Sequence, residues 1–257
     1  MRRPQWRKWS PGWWLTAGAG GSSGGTVSVG PIASLPVAGT QTGQTYVCTD
    51  SPYEFIWNGA AWLAFVYGYQ VTPPVLANFT QVNVDASTLD TTHGGIIQTV
   101  TQGTSTLDLQ GLALAIPASG TYYVDCAATF ITTGSNGGFG SGIAAGLTAG
   151  SAVEAACSPL PAGNTFAWEL LLWASTTGGV TVEAGPFTSE YSGPLAWFRI
   201  EDDRTNLYYS VSPNGYTWHQ WYQHARTSLL TPADCGLYVN RYVFGGVIHW
   251  LHWSVHT

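Results

Sequence analysis

The residues of this chain that could do chemistry are not arranged in any known catalytic motif. Glu201, Asp202 and Asp203 form an acidic run, and hard cations such as Ca²⁺ prefer several oxygens of this kind. Adjacent carboxylates on a turn point in different directions, so a solvated turn is the simpler interpretation. Ser192 and Ser210 have no G-x-S-x-G context, and no serine, cysteine or lysine shows local activation. The sequence therefore predicts no catalytic residue and no enzymatic activity.

The histidines and cysteines also lack the spacing of a metal site. On a β-strand, His252 and His256 would share one face and His249 would lie on the other. In a homotrimer one histidine from each chain could meet on the axis and bind a metal, but hydrogen-bonded strand histidines are the ordinary outcome. The wide spacing of the cysteines predicts buried free thiols at Cys48, Cys126, Cys157 and Cys235. We expect no metal and no cofactor.

Aromatic side chains are the better pointer to a ligand. They are concentrated in the segment 197–222, and sugar C–H groups stack on aromatic rings while Asn and Asp side chains bind sugar hydroxyls. Alternation along a strand also buries some of these rings in the core, which is the competing interpretation. The candidate ligand-binding residues are Trp197, Tyr208, Asn214, Tyr216 and Trp218.

These aromatic residues lie in a stretch that predicts antiparallel strands. From Ala196 to Glu201 the side chains alternate in character, with Ala196, Phe198 and Ile200 pointing one way. A charged turn follows, the chain returns through Leu207–Val211, and Asn214-Gly215 suits a tight hairpin because both residues tolerate positive φ. Period-two alternation with such turns indicates a β-meander with one buried face.

Composition favours a densely packed β protein. Of the 257 residues only 9% are charged, while 32 are Gly, 13 Trp and 13 Tyr, which argues against disorder and favours a surface that an oligomer buries. From residue 9 onward there are 4 basic and 14 acidic residues, a charge of −10, which would repel nucleic acid. No apolar run of about 18 residues exists, so we expect no membrane insertion.

The first fifteen residues, MRRPQWRKWSPGWWL, are basic and rich in Trp. Trp and Arg are favoured anchors at protein interfaces, so this arm is expected to dock on another protein, with an anionic membrane surface or a disordered terminus as the alternatives. No long apolar segment follows the basic cluster, so we expect no signal peptide. A Gly/Ser linker completes residues 1–27. The candidate anchoring residues are Arg2, Arg3, Trp6, Arg7, Lys8, Trp9, Trp13 and Trp14.

Two β units follow the arm. Residues 28–72 predict a small β-hairpin module with a turn at Asn58-Gly59, and about 40 residues make a poor independent core. We therefore expect it to pack on its neighbour or on other copies. Two prolines close this module at Pro73-Pro74. Residues 73–257 carry frequent turn signals and no convincing amphipathic helix, which predicts an antiparallel β-sandwich.

Several motifs carry a resemblance to a known fold. The run W-F-R-I from Trp197, then Y-Y-S-V-S-P-N-G-Y-T-W from Tyr208, then C-G-L-Y-V-N from Cys235 resembles the concanavalin A-like (laminin-G-like) β-sandwich, here a jelly roll covering about 71–255. More narrowly it is similar to the sandwich of phage virion proteins such as tail fibres and head fibres. The phrase TYVCTDSPYEFIWNGAAWLAF resembles a short repeat of phage fibre proteins. The E-x-D-x-E run of sandwich-fold glycanases is absent.

The resemblance implies a structural protein of a bacteriophage particle, a head or tail fibre or spike assembled in the host cytoplasm. Its arm would bind other virion proteins, its sandwich head would project and bind host-surface glycan, and the chain would form a homotrimer. Ser212–Trp218 resembles the S-x-D-G-x-T-W hairpin of sandwich and propeller proteins, a structural device, with Asn214 in place of Asp. The alternatives are a capsid-decoration protein without sugar binding, and a cellular carbohydrate-binding module or sandwich glycanase.

Overall fold

A computed structural model describes residues 26–85, 87–101, 108–132, 140–149, 153–159, 166–175, 178–189, 195–241 and 246–257. The described residues contain no α-helix. No helix long and apolar enough to cross a membrane occurs among them. The candidate anchoring residues, Arg2 to Trp14, and most of the Gly/Ser linker lie outside the described residues.

The strands, in chain order, are β1 (Val27–Gly30), β2 (Thr45–Cys48), β3 (Tyr53–Trp57), β4 (Trp62–Val66), β5 (Tyr69–Val71), β6 (Thr80–Val82), β7 (Ser87–Asp90), β8 (Ile96–Val100), β9 (Asp108–Ala115), β10 (Tyr122–Thr132), β11 (Gly140–Ala145), β12 (Val153–Pro159), β13 (Phe166–Ser175), β14 (Gly178–Ser189), β15 (Ala196–Asp202), β16 (Asn206–Ser212), β17 (His219–Ala225), β18 (Asp234–Arg241) and β19 (Gly246–His256). Short 3₁₀ turns occur at Ile32–Ser34, Leu76–Asn78 and Leu147–Ala149.

Three sheets account for all of these strands. The small sheet has the order β1-β2-β3-β4-β5, with β1 parallel to β2 and the other pairs antiparallel. The front sheet has the order β17-β16-β15-β10-β19-β8-β7, and the back sheet has the order β14-β13-β12-β11-β18-β9-β6. The front and back sheets are antiparallel throughout. The predicted all-β antiparallel sandwich, preceded by a small β module, is confirmed.

The main core lies between the front and back sheets. Ala196, Phe198 and Ile200 of β15 all point into it, as the alternation predicts, and they are almost completely buried. From the back sheet, Leu112 and Leu237 pack against them from the other side. The inner faces of the two sheets thus form one core, as in other β-sandwiches.

The small sheet packs on the outer face of the front sheet. Its own buried face, including Tyr53 and Phe55, forms one cluster with Ala127, Trp197 and Leu251 of the front sheet. The Tyr53 hydroxyl donates a hydrogen bond of 3.2 Å to the carbonyl of Leu251. The module thus completes its core on the sandwich, as expected for a sheet of this size.

The hairpin that joins β3 to β4 turns at Asn58-Gly59, as predicted. Gly59 has a positive φ of 100°, and the Asn58 side chain accepts backbone hydrogen bonds from Ala60 and Ala61. On β3 the alternate residue Glu54 points away from the sandwich, because its neighbours Tyr53 and Phe55 face it.

A pair of glycines permits the close approach of the two units. Gly95 has φ +63°, and a Cβ there would overlap the carbonyl oxygen of Trp250 and lie 2.7 Å from the Tyr53 hydroxyl. Gly94 beside it, with φ +76°, lies equally close to the Tyr53 ring. The small sheet can rest on the front sheet only where this turn carries no side chain.

We predict that Gly95→Ala lowers the free energy of unfolding by roughly 3 kcal/mol or more, because it adds a backbone clash to the cost of positive φ. Gly120→Ala is the matched control, since Gly120 has φ +78° with nothing near its Cβ position, and it should cost about 1 kcal/mol. Urea unfolding of both variants measures the difference. Equal losses would show that the seam, the contact between the small sheet and the front sheet, tolerates a methyl group at Gly95.

Candidate functional site

The outer face of the front sheet is divided into a covered half and an open half. On β10, Ala127 is covered by the small sheet, whereas Tyr123 and Asp125 on the same face lie beyond it. On β15, Trp197 is covered, and Arg199 and Glu201 lie beyond it. We call the uncovered part the open face; it consists of Tyr123, Asp125, Arg199, Glu201, Tyr208, Ser210, Ser254 and His256.

An ion pair stands at the centre of the open face. The Arg199 Nε and one terminal nitrogen, Nη2, donate to the two Asp125 carboxylate oxygens at 2.6 and 2.8 Å. Asp125 is buried, and the Arg199 side chain is 18% exposed. The strand register creates this pair, because Asp125 lies directly opposite Arg199 across the β10–β15 ladder. A two-point contact of this kind fixes the guanidinium in both position and orientation.

Aromatic rings hold Arg199 on both sides. Its guanidinium carbon lies 4.1 Å from the centre of the Tyr123 ring and 4.0 Å from that of Trp218. His256 stacks on Tyr123, with ring centres 4.3 Å apart and planes 12° from parallel. Both aromatic rings therefore lie within cation–π distance of the guanidinium. We call Trp218, Arg199, Tyr123 and His256 the stacked row.

The stacked row is partly exposed to solvent, most of all at His256, whose side chain is 45% exposed. The ring of Tyr123 has Arg199 near it and His256 stacked on it, so its faces are largely occupied by protein. The edges carry hydrogen-bonding groups, among them the tyrosine hydroxyl and the imidazole nitrogens. Arg199 Nη1 has no hydrogen-bond partner within the described part of the chain. The surface therefore offers donors and acceptors in fixed positions.

A hydrogen-bonded chain links the open face to the small sheet. His252 Nδ1 accepts the backbone N–H of Thr72 at 2.8 Å, so in the neutral ring the proton lies on Nε2. That Nε2–H donates to Ser254 Oγ at 2.9 Å, and Ser254 lies 2.8 Å from His256 Nε2. Burial, with a smaller contribution from His256, lowers the pKa of His252 to about 4.

This chain does not form a catalytic triad. A triad needs a histidine that accepts the serine proton on one nitrogen and donates from the other to a carboxylate. His252 cannot accept from Ser254, because its accepting nitrogen is taken by Thr72. Asp125 approaches His256 at 3.9 Å through Nε2, the same nitrogen that faces Ser254. The geometry supports an ordered polar chain.

The histidine faces differ from the prediction at one position. A bulge between Ala127 and Ala128 gives β19 one extra residue, Leu251, so His249 falls on the same face as His252. His249 packs edge-on against Tyr53 and donates from Nε2 to the Gly94 carbonyl at 2.6 Å. Burial lowers its pKa, which the Gly94 hydrogen bond partly opposes. The prediction that His249 lies opposite the other two is wrong.

The acidic run is used for structure. Asp202 is fully buried and accepts from Arg226 Nε at 2.8 Å, with Arg204 Nη1 3.7 Å away. Asp203 caps its own turn, accepting from Thr205, Asn206 and the Tyr208 hydroxyl. Within the described ranges, no three His, Cys, Asp or Glu side chains group as a metal site.

The candidate ligand-binding residues fall into different environments. Trp197 is only 3% exposed, between Tyr69 and His252 at the seam, so it cannot present a ring to solvent, and that expectation is corrected. Tyr208 and Trp218 lie on or beside the open face, and Trp218 ends the stacked row. Tyr216 is 70% exposed at the tip of the preceding loop.

Asn214 organises the loop that carries Trp218. Its Oδ1 accepts from the backbone N–H of Tyr216 and Thr217, at 2.9 and 2.8 Å, and Ser212 Oγ accepts from Gly215. In this turn Gly215 has a positive φ and Asn214 does not. Asn214 therefore contributes through its side-chain hydrogen bonds and not through a left-handed backbone. The structural interpretation of this motif is supported by these bonds.

Sequence reasoning missed Tyr123, Asp125, Arg199 and His256 as site residues. The alternation along β10 and β15 does place Tyr123, Asp125 and Arg199 on outward faces. What it cannot supply is the pairing of strands 74 residues apart, which brings Asp125 to Arg199. The sequence offers one signal for these residues. Only four basic residues follow residue 8, so each of them is expected to have an acidic partner.

We predict that His252→Asn reduces the loss of stability in acid. The folded pKa lies below the usual 6.5, so the unfolded chain binds more protons, and stability is lost as pH falls from about 6.5 to 4. The size is roughly 3 kcal/mol. Asparagine keeps an acceptor for Thr72 but does not titrate.

Urea unfolding between pH 8 and pH 4 measures this slope. The same change at the exposed His219 controls for the loss of one imidazole. The wild-type slope should persist in His219→Asn and flatten in His252→Asn, with the remainder carried by His249. If the pH dependence of the free energy of unfolding is unchanged in His252→Asn, protonation of His252 and loss of its Thr72 hydrogen bond do not cause the loss of stability in acid.

Comparisons with known proteins give only remote similarity. No family model matches the sequence, and no curated protein matches it. Among solved structures, a functionally unknown protein from Saccharomyces cerevisiae is 14% identical with a TM-score of 0.48, covering 72% of this chain and 98% of that one. The carbohydrate-binding module CBM66 from Bacillus subtilis is 10% identical with a TM-score of 0.43, covering 70% and 96%.

A phage protein is also among these structures. The CBM2 module of the evolved Dit of Lactobacillus casei BL23 phage J-1 is 12% identical with a TM-score of 0.39, covering 62% of this chain and 75% of that one. At these scores the similarities carry no inference about function.

Proposed function

We propose that this chain is a non-enzymatic structural protein of a bacteriophage particle, whose sandwich head binds a host-surface glycan on the open face. The observation that supports glycan binding is the stacked row, an ordered set of planar groups with polar edges on a sheet surface that the small sheet leaves uncovered. Glycan hydroxyls are recognised by fixed donors and acceptors beside aromatic surface.

The dimensions of the open face suit a short oligosaccharide. It extends over β16, β15, β10 and β19, which are neighbours in the front sheet. Three inter-strand spacings give a width of about 14 Å. The ion pair and the cap at Asn214 hold the row before any ligand arrives, so little side-chain entropy is lost on binding. A pre-organised surface of this kind suits a protein that binds a glycan without chemically converting it.

The virion role rests on the sequence. The arm is basic and rich in Trp, and a Gly/Ser linker separates it from β1, which suits attachment of a projecting head to a particle. We propose that other virion proteins are its partners, that the chain acts as a homotrimer, and that it carries no enzymatic activity.

A capsid-decoration protein without sugar binding is the second candidate. It is favoured because members of the stacked row already have partners within the protein. Arg199 donates two hydrogen bonds to Asp125, and the Tyr123 ring stacks on His256. In that case the stacked row would only stabilise the outer face of the front sheet. Loss of particle stability on deletion, with no glycan signal, would identify this role.

We predict that Trp218→Ala weakens glycan binding at least tenfold, because Trp218 ends the stacked row and supports Arg199. Tyr216→Ala is the matched control, an exposed aromatic two residues away that does not touch the row, and it should change the dissociation constant by less than about twofold. The measurement is titration of the best hit from a glycan array. Equal losses, or no loss in Trp218→Ala, would contradict the site.

We predict that the arm carries attachment to the particle. Particles that lack this protein are incubated with the full chain or with a chain shortened to begin at Gly25, and bound protein is quantified after sedimentation. Only the full chain should bind, because the Trp and Arg anchors precede Gly25. Equal binding by the two would place the docking surface on the β body and reverse the proposed roles.

A further inference from the structure

We propose that the open face selects uncharged glycans over carboxylated or sulfated ones, and that Asp125 sets this selectivity. The inference rests on the proposed function and names its ligand class. It arises from the charges around the stacked row. A partly exposed arginine beside two aromatic rings would ordinarily suggest an anion site, because the guanidinium fork matches carboxylate and phosphate.

The fork of Arg199 is already occupied. Asp125 takes Nε and Nη2 at 2.6 and 2.8 Å, which is the two-point contact that a ligand carboxylate would need. An anionic sugar could use this edge only by displacing the buried Asp125 carboxylate, and at Nη1 it would meet a guanidinium whose charge Asp125 already balances. A neutral hydroxyl needs only one donor, and Nη1 remains available for it.

Two further arginines of the sandwich are also paired with a carboxylate. Arg204 and Arg226 both lie against the buried Asp202, where their remaining nitrogens donate to backbone carbonyls. Lys8 is the single lysine of the sequence, and it precedes the sandwich by more than 60 residues. Arg199, Arg204 and Arg226 therefore each have an acidic partner.

An unpaired negative charge lies beside the row. Glu201 is exposed on β15, directly opposite Tyr123 on the neighbouring strand. With Asp125 and Arg199 cancelling, the open face carries about one negative charge near neutral pH. The sequence beyond residue 8 has 14 acidic and 4 basic residues, so the surrounding field has the same sign. Both the contact geometry and the field disfavour anionic glycans.

The test is a glycan array at pH 7.5 that carries neutral oligosaccharides beside the same cores capped with sialic acid or a uronate. The readout is the ratio of capped to uncapped signal, so a general loss of affinity in a variant cancels. The wild-type protein should bind uncapped cores and show a ratio well below one. Asp125→Asn should raise the ratio at least tenfold, because it removes the carboxylate that balances the charge of the Arg199 guanidinium.

Glu201→Gln serves as a second variant that leaves the ion pair intact. It should raise the ratio about threefold, the effect of one charge at roughly 6 Å in water, and the gain should shrink as salt is added. Glu54→Gln removes the same charge from the outward face of the small sheet and should leave the ratio unchanged.

Three results would overturn the inference. Preferential binding of capped glycans by the wild-type protein would reject the selectivity while leaving glycan binding in place. Absence of signal on every glycan, with the melting temperature unchanged across the variants, would reject glycan binding and the selectivity together. A raised ratio in Glu54→Gln equal to that in Glu201→Gln would assign the effect to net charge and not to the open face.

Discussion

The small sheet cannot bury a core of its own, and this constraint shapes the rest of the molecule. Its five short strands join their apolar face to Ala127, Trp197 and Leu251 on the outside of the sandwich. The closest contacts, at Gly95 and the Tyr53 hydroxyl, leave no room for an added side chain. Because the small sheet extends over only part of the front sheet, it divides that surface into a sealed half and an open half.

The open half is stabilised by charge pairing and stacking instead of burial. Arg199 is held by Asp125 from below and by Tyr123 and Trp218 from the sides. The two halves are connected through Ser254 and His252, which ends on the backbone of Thr72 at the entrance to the sandwich. The same strand, β19, thus contributes both to the seam and to the proposed ligand surface.

Local patterns in the sequence account for much of the fold. The alternation along β15, the Asn58-Gly59 hairpin and the need of the small module for a partner are all local properties, and each of them is found. The bulge at Leu251 reversed the expected side of His249, because one inserted residue changes the face of every later residue relative to the earlier ones. Trp197 was assigned to the ligand surface because alternation cannot tell an outward face that is open from one that a second sheet covers. The pairing of Asp125 with Arg199 depends on long-range register, which no local pattern encodes.

The central claim is that a ligand surface exists where the small sheet stops covering the front sheet. The most direct measurement is a crystal structure of the full chain with its best-binding neutral oligosaccharide. We expect sugar density within hydrogen-bonding distance of Tyr123, Arg199 and His256, beside Trp218, with the small sheet still packed on Trp197. Sugar bound at the loops of the sandwich, or a small sheet displaced from Leu251, would contradict it.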